Sequence, residues 1–114
     1  MNPAKYQEYL KTDHWQNVKL RYYQSKLPKT CYICGTKEHR NLHHKSYKRI
    51  GNERLTDLIV LCEKHHHECH VLLKETRQGF NEYSKTRINL WNMAKKLKRK
   101  YSYAKYIANR KRVA

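Results

Sequence analysis

The amino-acid sequence predicts an α+β fold that is mostly helical, and three observations predict it. Stretches at both ends carry apolar residues near 3.6-residue spacing, the pattern of one-sided helices. Between them lie two short runs of strand length, one ending Asn41-Leu42-His43-His44 and one spanning Leu58 to Leu61. All four cysteines, and every histidine except His14, fall between Cys31 and His70, and the rest of the chain reads as support for that segment.

Taken in order, Asn2-Pro3 is a helix cap followed by proline at the first helical position, so a short helix through Leu10 is expected. Thr12-Asp13 restarts it, and Trp15, Val18, Tyr22 and Leu27 form one apolar stripe, with Lys19, Arg21 and Gln24 outward and Pro28 as the stop. Trp15 is read as a core anchor. Thr30 to Gly35 reads as a knuckle in which Cys31 and Cys34 share a tight turn relieved by Gly35. The two strand-like runs, joined by a polar loop from Lys45 to Arg54, can pair as a hairpin. Glu63 to about Thr76 reads as a helix, broken by Gly79. From Asn81 to about Asn109 a long basic helix, or two, carries Tyr83, Leu90, Trp91, Ala94, Leu97, Tyr101, Ala104 and Ile107 on one stripe, with Met93 incidental beside it. Tyr32 and Tyr47 are expected to pack the small domain.

Composition narrows the class of function. A chain of 114 residues is one domain with an appended arm, and 39% apolar residues with a single Phe give a small core that a metal would help to staple. No run of ten apolar residues exists, so a membrane-spanning helix is excluded. Met1 to Tyr6 lacks the apolar segment of a signal peptide, which points to the cytoplasm, a reducing compartment where cysteines serve metals rather than disulfides. The formal charge of +17 predicts a polyanionic partner, and it is densest in residues 71–114, which hold 13 Lys/Arg against 2 acids.

Two metal sites can be read from the spacing. Zinc takes four N or S ligands, usually as two close pairs. Cys31 with Cys34 is one pair, and Cys62 with His65 has the same spacing, giving a structural Cys3His site; Cys69 in place of His65 is the competing assignment. His66 and His70 stand one helical turn apart and can share a second ion. The pair His43-His44 can complete it, because adjacent strand residues point to opposite sides: one imidazole can bind metal while its free neighbour acts as base on a water.

The order of these parts is specific. CxxC, His43-His44, Gly51-Asn52-Glu53, the run from Asp57 to Cys62 and the ending Cys62-x-x-His65-His66-x-x-x-His70 together resemble an HNH nuclease with a ββα-metal (His-Me finger) core. The resemblance covers about residues 30 to 70, and the Trp15 helix resembles the lead-in helix of short phage-type HNH proteins. It implies that His43, His66 and His70 hold a catalytic divalent ion such as Mg²⁺ or Mn²⁺, that His44 is the general base, and that Cys31, Cys34, Cys62 and His65 hold the structural zinc. Asp57 stands where the family has the Asn that orients the base, which is a departure. The implied activity is hydrolysis of double-stranded DNA, nicking one strand, in a bacterial or phage-infected cell. The implied division is a support at 1–28, a nuclease core at 29–78 and a DNA-binding arm at 79–114. Lys45, Lys48 and Arg49 are expected near the scissile phosphate, and Lys95, Lys96, Lys98, Arg99 and Lys100 along the backbone. The Asp57 departure favours the alternative, a zinc-stabilised nucleic-acid-binding module with weak or no catalysis.

Overall fold

The computed structural model describes residues 3–78 and 88–113. Its helices are α1 (Pro3–Leu10), α2 (Asp13–Gln24), α3 (Glu63–Gln78) and α4 (Leu90–Val113); its strands are β1 (Arg40–His44) and β2 (Leu58–Cys62). The fold is therefore mixed α+β and mostly helical, with one antiparallel two-stranded sheet. None of the described helices is long and apolar enough to cross a membrane.

Capping sets the limits of the first two helices. Thr12 accepts the Trp15 N–H at 3.2 Å and starts α2. That helix ends at Gln24, before Pro28, because both the N–H and the hydroxyl of Ser25 turn back to the Tyr22 carbonyl. Pro28 instead offers its carbonyl to the Tyr22 hydroxyl at 2.6 Å. The loop between the strands carries a short turn at Leu55–Asp57, and Gly35 has the positive φ of 77° that its tight turn requires.

The hairpin is the middle layer. In its register His43 faces Ile59 and His44 faces Leu58. Alternation sends Leu42, Leu58 and Val60 toward Trp15, Val18 and Tyr22 of α2. It sends Ile59 and Leu61 the other way, into a cluster with Cys31, Ile33, Cys69 and Leu73 and with Met93 and Ala94 of α4. All five residues of β2 are buried because helices cover both faces, and this is why the run from Leu58 to Leu61 is continuously apolar rather than alternating.

Three expectations change. Met93 is a core residue, 5% exposed, whose sulfur accepts the Thr76 hydroxyl at 3.6 Å. The α4 stripe is well covered only as far as Leu97; Tyr101 meets the His65 ring edge-on at 6.1 Å yet is 40% exposed, and Ala104 is exposed, because α4 runs on past the first turn of α3. Tyr47 is exposed, with its ring tilted against Tyr6 at 5.0 Å. Gly79, Tyr83 and the start expected at Asn81 lie outside the described residues; Asn89 and Asn92 cap α4 reciprocally, each side chain accepting the other's backbone N–H.

Trp15 is buried at 3% exposure. Replacing it by alanine empties the largest side chain of the α2 layer, and the expected loss is about 3–5 kcal/mol. Urea unfolding of Trp15→Ala beside wild type measures it, and a loss under about 1 kcal/mol would mean that the layer does not rest on this ring.

Candidate metal centre and histidine cleft

Cys31, Cys34, Cys62 and His65 form a site that could bind a metal such as zinc: their ligand atoms all lie within 4.8 Å of one another, and no other such group occurs among the described residues. Cys31 Sγ is 3.8 Å from His65 Nδ1, Cys62 Sγ is 3.3 Å from the same nitrogen, and Cys34 Sγ is 3.9 Å from Cys62 Sγ. A tetrahedral zinc with Zn–S of about 2.3 Å and Zn–N of about 2.0 Å has edges of about 3.5–3.8 Å, so the four donors fit the ion. Burial pushes the Cys31 thiol up, but backbone N–H groups of Cys34, Cys62 and Ile33 outweigh it and bring it down to about 6. A thiolate is thus available at neutral pH. On the imidazole's far side His65 Nε2 faces Glu68 at 3.9 Å, a carboxylate placed to orient the ring. Cys69, the competing ligand, lies in the apolar cluster with no exposure, and burial pushes its thiol up to about 12.

Alternation along β1 splits the next two histidines. His43 turns toward α3, where its ring stacks on His66 with centroids 3.8 Å apart; His66 in turn meets His70 edge-on, with their Nε2 atoms 2.9 Å apart. The three rings are neighbours, but stacking leaves their nitrogens short of a common point. His43 Nε2 is buried and has no hydrogen-bond partner. Burial first, then the neighbouring His66 and His70, lowers His43 to about 3; burial and His70 lower His66 to about 4. His70 is lowered by burial and His67. The three rings are accordingly neutral at pH 7; His66 and His70 share a hydrogen bond, while His43 keeps a buried Nε2 without a partner.

His44 turns the other way, under α2. Its ring stacks on Trp15 at 4.7 Å, its Nδ1 lies 3.1 Å from the Tyr6 hydroxyl and its Nε2 lies 2.9 Å from Glu53 Oε2. Since β1 ends at His44, both sets of rings still reach one opening, and a cleft of 460 Å³ is lined by His43, His44, His66 and His70 with Tyr6 and Tyr47 at its edge.

Asp57, expected to orient His44, does not touch it. Its carboxylate is gripped by Arg49, with Nε 2.8 Å from Oδ2, and also accepts the Arg54 N–H at 3.0 Å, so it clasps the loop shut. The carboxylate on His44 is Glu53, which also accepts from Gly51 N–H at 3.0 Å and from Tyr9. Gly-Asn-Glu was visible as a motif, but nothing in its spacing tells which acid the loop folds back onto the strand. Arg49 lowers Asp57 from its ordinary 3.8 to about 2. Stability from a carboxylate depressed on folding is present above its unfolded pKa and lost as pH falls through the folded one. Asp57→Asn should therefore melt below wild type at pH 7, with the gap closing between pH 3.8 and about 2; a gap that stays constant over that range in thermal scans would remove the clasp.

The cationic residues divide as well. Lys45 sits over the Trp91 ring at 4.5 Å and Lys95 over the same ring at 5.4 Å, while Lys98 covers Tyr32 at 4.1 Å. The two rings meet at 5.0 Å, so the three lysines form one group, and Leu90, next to Trp91 in the chain, lines the histidine cleft. Arg49 is committed to Asp57, and Lys48, Lys96, Arg99 and Lys100 are exposed. No family model, curated protein or solved structure matches the chain.

Proposed function

We propose that this protein is a metal-dependent DNA endonuclease of the HNH type that nicks double-stranded DNA. The observation that carries the reading is the single cleft collecting His43, His44, His66 and His70, beside a group of lysines in a chain of charge +17. His43, His66 and His70 are neutral donors, one of them a buried nitrogen without a partner, and turning their rings out of the stack would let them share a divalent ion. When bound, such an ion would supply positive charge to offset the negative charge that develops on the phosphate in the transition state.

The chain's own groups do the rest. His44, held under Trp15, takes the proton of the attacking water from the far side of the strand end. Lys45, Lys95 and Lys98 hold the phosphate backbone without reading bases, their positions fixed by Trp91 and Tyr32. The Cys3His site ties the knuckle to the start of α3, and so sets where His66 and His70 stand. One general base, His44, serves one scissile phosphate, so one strand is cut.

Supercoiled plasmid incubated with the zinc-loaded protein and Mg²⁺, Mn²⁺ or Ni²⁺ should relax to open circles, and EDTA should stop it. Intact supercoils with every metal would end the nuclease reading. The second reading, a zinc-stabilised nucleic-acid binder without catalysis, is favoured by the Tyr6 hydroxyl standing on His44 Nδ1. It predicts plasmid retarded in a gel and never nicked.

A further inference from the structure

Glu53 is the buried acid that the sequence did not single out. Its side chain and that of His44 are each 1% exposed. An ionised carboxylate in such a place must be fully hydrogen-bonded. It is: Oε2 receives His44 Nε2 and the Tyr9 hydroxyl, while Oε1 receives the Gly51 N–H at 3.0 Å and His14 Nε2 at 3.3 Å. These partners come from α1, α2, β1 and the loop, so four separate segments converge on one carboxylate.

The polarity of that network fixes a proton. Burial pushes Glu53 up, but the hydrogen bonds from His44 and Tyr9 outweigh it and bring it down to about 2, so it only accepts. Because that carboxylate can only accept, hydrogen sits on His44 Nε2 and the lone pair of the neutral ring on Nδ1, so the Tyr6 hydroxyl, which burial, Tyr47 and Glu53 keep protonated by raising it to about 12, is the donor to Nδ1 at 3.1 Å. An imidazole with an acceptor at Nε2 and a donor at Nδ1 has one arrangement open to it: hydrogen on Nε2 and lone pair on Nδ1.

We propose that Glu53 is the positioning residue for the general base, holding His44 as its Nε2–H tautomer so that Nδ1, the nitrogen on the Tyr6 side of the cleft, receives the proton of the attacking water. This deepens the nuclease reading and rests on it. In the step, water displaces the Tyr6 hydroxyl from Nδ1 and loses a proton to that nitrogen, its oxygen bonds to phosphorus, and the 3′ oxygen leaves with the P–O electron pair; the doubly protonated ring then faces the Glu53 carboxylate, which compensates its charge. Tyr6 marks the side from which water comes, and the stacked Trp15 keeps the ring from turning over. Asp57 takes no part, since Arg49 occupies it.

Long-range proton–nitrogen spectra of the ¹⁵N-labelled, zinc-loaded full chain report the tautomer of His44 directly, and plasmid nicking reports the rate. Wild type is expected to show His44 as the Nε2–H tautomer, and Tyr6→Phe to keep it. Glu53→Gln, whose amide presents a donor as well as an acceptor, should populate both tautomers and nick about 10- to 100-fold more slowly at unchanged plasmid affinity. A wild-type Nδ1–H tautomer overturns the proposal, whether or not Glu53→Gln folds. So does Glu53→Gln with wild-type spectrum and rate. A wild type that shows the Nε2–H tautomer but never nicks leaves Glu53 on His44 and removes the nuclease reading instead, so the two failures are told apart.

Discussion

Denying zinc to the Cys3His site, which could bind it, should unfold the part of the molecule that the site would hold together. The segment from Ser25 to His39 has no regular helix or strand, and it is held to the body by few backbone bonds, among them Tyr32 N–H to Val60 C=O at 2.8 Å. A metal held by the quartet would join the segment's two cysteines to Cys62 and His65, at the end of β2 and the first turn of α3. Structural zinc contributes an apparent ~10–16 kcal/mol in small domains, which equals or exceeds the net stability of about 5–15 kcal/mol typical of a whole domain. Cys62→Ser, or a strong chelator, should accordingly abolish the cooperative melt and collapse the dispersed amide spectrum, with re-addition of zinc restoring the chelated sample only. Native dispersion in a sample shown by metal analysis to be free of zinc would mean that the thiols pack without a staple.

His44→Ala should abolish nicking while leaving plasmid binding in place. General-base catalysis contributes about 10²- to 10⁴-fold, so the residual rate should fall below a hundredth of wild type. The lysines on Trp91 and Tyr32 lie on α4 and after β1, not on the Trp15 side where His44 is buried, so retardation of plasmid should persist. Loss of a buried ring beneath Trp15 also costs stability, so the comparison belongs well below the melting temperature of the variant. Equal nicking by wild type and variant would point to a contaminant and take the base away from His44.

Some of this is legible without coordinates because it is local. Thr12 as a cap, the period of Trp15, Val18 and Tyr22, and a turn that needs Gly35 each depend on a few neighbouring residues. The split of His43 from His44 follows from the two-residue period of a strand alone. Met93 and the outer part of the α4 stripe could not be placed this way, since a helix offers the same stripe along its whole length and only the position of the first turn of α3 decides where burial stops.

The sequence by itself determined the mostly helical α+β class and the Cys3His quartet, because ligand pairs three residues apart and helical or strand periods are set by bond geometry within one element. Tertiary structure alone decided that Glu53 and not Asp57 meets His44, and that Arg49 is spent on Asp57. Both acids sit in the same loop, and which one turns inward depends on where Tyr9, His14 and His44 converge, a meeting of segments up to 44 residues apart in the chain.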